Sequence, residues 1–124
     1  MTVGYRGIIG LTERAYRLRS EISDYLKRNA VYPKGIKASK LSEIFGISTR
    51  ELRAIRQVWE IESTPALSDS ATGYYYCDGI DGLLHSKSEK LSRVKRLETG
   101  IYCINKMIAR RQNQDTKPRQ GDLF

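Results

Sequence analysis

One hundred and twenty-four residues suffice for one domain with one modest core, and 22 Lys plus Arg against 14 Asp plus Glu give a net charge of +8. Such an excess favours polyanionic partners, nucleic acid first among them. The longest apolar runs are only a few residues, too short for a bilayer span or a secretory core, so a cytoplasmic protein with no membrane partner is expected.

The first eleven residues, with Gly4, Gly7 and Gly10, read as a loose arm. Thr12 can cap a helix running to about Asn29, in which Ala15, Leu18, Ile22, Tyr25 and Leu26 recur at three- and four-residue spacing. Pro33 and Gly35 stop that helix, and Ile36 sits where one short strand fits. Lys37 to Phe45 and Ser48 to about Glu60 form two further helices separated by Gly46. Pro65-Ala66-Leu67 and Tyr74-Tyr75-Tyr76-Cys77 flank a Ser/Asp/Gly turn and predict a hairpin. Asp78, Gly79, Asp81 and Gly82 make a second break, after which a helix from about Ser86 to Arg111 carries Leu91, Val94, Leu97, Ile101, Ile104 and Ile108 on one face.

The fold class expected is therefore mainly α with a small β-hairpin wing, a winged helix-turn-helix plus a long C-terminal helix. Its parts are a flexible arm (1–11), the winged domain (12–85), the C-terminal helix (86–111) and a flexible tail (112–124). Two helices crossing steeply through a tight turn need a small residue facing the partner, a residue tolerant of positive φ, and apolar anchors at the corner. Ser42, Gly46 and the set Leu41, Phe45, Ile47, Leu52 and Ile55 meet these needs. Ser48 with Glu51 has the spacing of a capping box that opens the second helix. A structural helical hairpin would need the same anchors, but it would not need the charged face that follows.

At about 100° per residue, Leu52, Ile55 and Trp59 cluster on one side of the second helix, and Arg50, Arg53, Ala54 and Gln57 fall opposite. Arg suits guanine edges, Gln suits adenine, and Ala can lie against a thymine methyl. Thr49 and Arg56 flank this face as candidate phosphate contacts, as does the helix start at Ser48. Lys37, Lys40 and the basic last helix add affinity for double-stranded DNA, the expected partner. The alternative for this face is a solvated charged surface. Trp59 reads as core. In the tyrosine run Tyr75 faces opposite to Tyr74 and Tyr76, with a core role for the inward ring. The wing turn holds Asp69 and no Lys or Arg, which predicts a weak wing contact with DNA.

The stretch Leu41-Ser42-Glu43-Ile44-Phe45-Gly46-Ile47-Ser48-Thr49-Arg50-Glu51-Leu52-Arg53, followed by Gly73-Tyr74-Tyr75, resembles the small winged-helix proteins encoded by phages and prophages of Gram-positive bacteria. The resemblance covers about a third of the chain. It implies sequence-specific duplex binding in phage gene regulation or replication.

The chain ends Gln120-Gly121-Asp122-Leu123-Phe124, which resembles the pentapeptide that docks replication and repair proteins on the bacterial sliding clamp. Gln120, Asp122, Leu123 and Phe124 match the pattern and Gly121 departs from it. A Gln in a polar slot with Leu and Phe in an apolar pocket would anchor the end of an extended tether. A frayed terminus is the alternative. In the last helix, Leu97, Ile101, Ile104 and Ile108 have the spacing of a coiled-coil seam, which would make a homodimer. Packing back onto the winged domain is the preferred reading there, and Gly100 argues against a long rigid coil.

No nucleophile with a neighbouring base, no catalytic carboxylate pair and no phosphate loop can be assembled, so an enzyme is not expected. Asp78 and Asp81 read as turn formers and His85 as a helix-start or surface residue. No cofactor is expected. A zinc site is not expected either, because His85 is the only histidine and no CxxC occurs. Cys77 and Cys103 read as a buried thiol pair in a reducing compartment, with a disulfide as the alternative. Three roles compete: DNA binding in replication with clamp docking, transcriptional regulation through the same face, and a protein–protein adaptor.

Overall fold

In a computed structural model, which describes Tyr5 and residues 7–116, Thr12 opens the first helix, α1 (Glu13–Asn29), by accepting a hydrogen bond from the N–H of Ala15 at 3.2 Å. Helix α2 (Ala38–Phe45) ends on Gly46, whose φ of 64° is the left-handed cap that the tight turn requires. Helix α3 (Thr49–Ile61) starts from a complete capping box: Ser48 Oγ accepts from the N–H of Glu51, and Glu51 accepts from the N–H of Ser48. Ser42 lies at the corner as expected, its hydroxyl donating to the carbonyl of Ile47. The helix-turn-helix thus forms where its local signals placed it.

Strands β1 (Ala66–Asp69) and β2 (Gly73–Tyr76) pair antiparallel, with Leu67 opposite Tyr75 and Asp69 opposite Gly73. Ile36 adds a third, single-residue rung. It exchanges two backbone hydrogen bonds with Tyr74, each 2.8 Å. Two glycines make this rung possible. A Cβ on Gly35 would lie 2.0 Å from the carbonyl oxygen of Thr72, and one on Gly73 (φ +88°) would lie 2.6 Å from that of Ile36. The fold is mainly helical with a two-stranded wing and a long last helix, α4 (Ile80–Thr116).

The main core gathers Ala15, Ile22 and Leu26 of α1, Leu41 of α2, Leu52, Ile55 and Trp59 of α3, and Ala66 and Tyr74 of the hairpin. Trp59 is buried and its indole N–H donates to the carbonyl of Arg19 at 3.0 Å, which satisfies the one polar group it brings inside. The other side of β2 carries a second, smaller cluster of Leu67, Tyr75 and Cys77, with Tyr32 against it. Alternation does turn Tyr74 and Tyr75 to opposite faces, yet both are buried, because each face of the hairpin has its own cover.

Asp69 holds this second cluster to the wing. Its Oδ1 accepts from the N–H groups of Ala71 (3.0 Å) and Thr72 (2.6 Å), and Oδ2 lies 2.8 Å from Nε2 of His85. Burial opposes ionisation of this carboxyl, but the Thr72 N–H and the His85 ring outweigh it and hold the group below the usual aspartate range. His85, read as a helix-start or surface residue, lies near the start of α4 and also sits between Asp69 and the rings of Tyr32 and Tyr75, at 5.0 and 6.2 Å centroid separations.

Three further expectations change. The predicted break at residues 78–82 is shorter: α4 starts at Ile80 and includes Gly82, where a Cβ would meet Cys77 Sγ at 2.8 Å and Tyr32 Cβ at 3.1 Å. The two cysteines are not a buried pair; Cys77 is buried and Cys103 exposed, both as free thiols. Tyr5, within the segment read as a loose arm, is buried, with its ring 5.3 Å from that of Tyr16 and its hydroxyl donating to Glu62 at 3.3 Å.

Contacts divide the chain into two units that meet along the sequence at Lys87 and Ser88. In the second unit the apolar stripe of α4 is exposed. Leu91, Val94, Leu97, Ile101, Ile104 and Ile108 are 47–63% exposed. Within the first unit, helix α1 packs on α3 and the hairpin.

Candidate nucleic-acid interface

The chemistry of α3 follows from how much of it the first unit covers. Glu51, Leu52, Ala54, Ile55, Val58 and Trp59 are buried, which is nearly half of the helix circumference. Thr49, Arg50, Arg53 and Gln57 remain exposed on the opposite arc. Two guanidinium groups and a carboxamide on one helix face make a donor-rich surface matched to guanine O6/N7 and adenine N6/N7 edges.

Ala54 is the correction. It is fully buried, so its methyl group does not stand on the exposed face with Arg53 and Gln57. The reason is geometric: Ala54 lies one turn beyond Glu51 and one turn before Val58, on the flank where the start of α1 meets α3. Thr12 Oγ1 donates to Glu51 there, and Arg14 grips the same carboxylate through Nε (3.0 Å) and Nη2 (2.8 Å). Arg14 first, with the Ser48 N–H and the Thr12 hydroxyl, overcomes the cost of burial and holds the Glu51 carboxyl far below the usual glutamate range. Glu51 therefore joins α1 to the first turn of α3 and fixes the position from which the exposed arc is presented.

Ser48 is exposed, but its hydroxyl and N–H are both engaged in the capping box, as is the N–H of Glu51. The backbone donors left at this helix start belong to Thr49 and Arg50. Arg50 also has a neighbour that the sequence did not announce. Gly10, at φ +87°, runs so close that a Cβ would meet Arg50 Cγ at 2.8 Å. Arg56 is half-buried beside Tyr74, with its Nε buried and lacking a hydrogen-bond partner among the described residues. It sits at the junction of α3 and the hairpin more than on the open face.

Lys37 and Lys40 are exposed at the start of α2 and line a shallow groove with Gly35, Ile36, Ser39 and Glu43. Lys37 also borders a second groove whose far wall is the wing, Ser68 to Tyr74. The close approach of Gly35 to Thr72 brings this lysine to the wing, so the cation missing from the wing turn is supplied from beside it. Gln120, Asp122, Leu123 and Phe124 lie outside the described residues. No protein-family model, curated protein or solved structure matches this chain.

Proposed function

We propose that this chain is a non-enzymatic, sequence-specific double-stranded DNA-binding protein of phage or mobile-element type that acts in DNA replication in the bacterial cytoplasm. The observation that carries the reading is the exposed arc of Arg50, Arg53 and Gln57 on the second helix of a helix-turn-helix, with Lys37 and Lys40 beside it. The arginines and the glutamine read base edges in the major groove. Thr49, the helix-start N–H groups and the two lysines hold phosphates. The wing makes a lesser contact, because Asp69 is committed to its own turn and to His85.

The replication role rests on the terminal Gln120-Gly121-Asp122-Leu123-Phe124, which docks on the host sliding clamp in this reading. Two measurements test it. Duplex affinity of the full chain should fall linearly on a log–log plot against salt, as phosphate neutralisation requires. Affinity for a purified bacterial clamp should vanish when Gln120 to Phe124 are removed. Clamp binding unaffected by truncation, or absent from both forms, leaves transcriptional control through the same DNA face. The wing turn without a cation favours one second reading, a protein–protein adaptor, and duplex affinity insensitive to salt would select it.

A further inference from the structure

We infer that residues 94–108 of α4 are the docking surface for a second copy of this chain, in a parallel, in-register, two-stranded coiled coil. The open stripe has a heptad frame. Val94, Ile101 and Ile108 take position a, and Leu97 and Ile104 take position d, over about 21 Å of helix. All five are about half exposed or more.

The choice of occupant comes from the residues on and beside the seam. β-Branched side chains at every a position with Leu at a d position are the combination that suits parallel dimers; Ile104 is the departure. In that register the g position of one helix faces the following e position of the other. Arg93 is at g and Glu98 is five residues on at e, so a second copy supplies an opposite charge, and two-fold symmetry supplies it twice. The seam is also bounded. The same frame meets Lys90 at the preceding d and Arg111 at the following d, which ends the apolar contact at both sides. Lys95, Arg96, Lys106 and Arg110 fall at b, c and f, turned from the partner. Tyr102, the exposed aromatic ring off the seam, lies under Lys106 with the ammonium 4.9 Å from its centroid. A helix lying on an anionic membrane would carry cations along both flanks of its apolar face. Here one flank carries Glu98 and Asn105 instead.

A dimer brings two copies of α3 into one particle, but the association itself does not depend on DNA binding. Sedimentation equilibrium of the full chain, 14.2 kDa as a monomer, tests it from low to high micromolar concentration. The expected result is a monomer–dimer equilibrium that Ile101→Glu weakens more than about 100-fold by forcing carboxylates into the seam. Unchanged Trp59 emission shows that the variant's first unit is folded. Leu97→Cys in a Cys103→Ser background should oxidise to a cross-linked dimer, since identical d positions meet only in the parallel register. A chain that stays monomeric, a trimer, a dimer indifferent to Ile101→Glu, or a dimer that the Leu97→Cys thiols fail to cross-link overturns the proposal.

Discussion

Helices α3 and α4 carry apolar residues at the same three- and four-residue spacing, and they end in opposite situations. In α3, Leu52, Ile55 and Trp59 are almost completely buried among α1, α2 and the hairpin. In α4 beyond Ser88, side chains of the same kind are about half exposed or more. Periodicity states that a helix has a face to bury, and it does not state whether the same chain supplies the cover. Where the chain supplies it, the residues opposite the buried arc are held in a fixed direction and can read a ligand.

The largest expected effects break the covered side of this comparison. Trp59→Ala should lower the stability of the first unit by about 3–5 kcal/mol, through lost burial and the cavity left behind. Urea denaturation followed by circular dichroism would measure it. Ile104→Ala on the open stripe should leave that transition nearly unmoved at low protein concentration and act on association instead. Comparable losses from both substitutions would mean that the stripe is core.

Glu51 comes next, because it ties the start of α1 to the start of α3. Glu51→Gln should cost about 1.5–3 kcal/mol, from the charge-assisted pair with Arg14, since a Gln oxygen can still accept from the Ser48 N–H. The sign of its pH dependence follows from a folded-state pKa held below the ordinary value of 4.5. Its stabilisation is complete above that value and is lost as pH falls below it. Acid titration of the wild-type chain should thus be steeper below pH 4.5 than that of Glu51→Gln, and parallel curves would remove Glu51 from the account.

The exposed arc should respond in the reverse way. Arg53→Ala and Arg50→Ala should each cost roughly 1–3 kcal/mol of specific duplex affinity while changing stability by less than about 0.5 kcal/mol. Binding isotherms against a selected site and a scrambled duplex would separate base reading from phosphate attraction. Unchanged affinity in both variants would sink the groove assignment. Arg50 sharpens the test, since Gly10 packs on its stem and Gly10→Ala, strained at φ +87°, should disturb Arg50 alone of the two.

Much of the fold was legible in the sequence because its signals are local. Thr12, Gly46 and the Ser48–Glu51 box act within one helical turn of themselves, and a backbone N–H or a positive φ makes the same demand in any surroundings. The helix order, the tight turn, the hairpin and the exposed arginines of α3 follow from such signals.

What only the tertiary structure decided concerns cover. Ala54 projects near Arg50 and Arg53 on a helical wheel, and it is buried because α1 reaches round to grip Glu51 one turn away. Tyr75 is buried as well as Tyr74 because Tyr32, Cys77 and Leu67 close the second face of the hairpin. Gly82 lies in a helix where glycines and aspartates suggested a break, and the space beside it, filled by Cys77 and Tyr32, leaves no room for a Cβ. The stripe of α4 was readable as apolar from its spacing, and its residues are about half exposed or more. Burial depends on groups far apart in the chain meeting in space, and spacing along one helix carries no record of them.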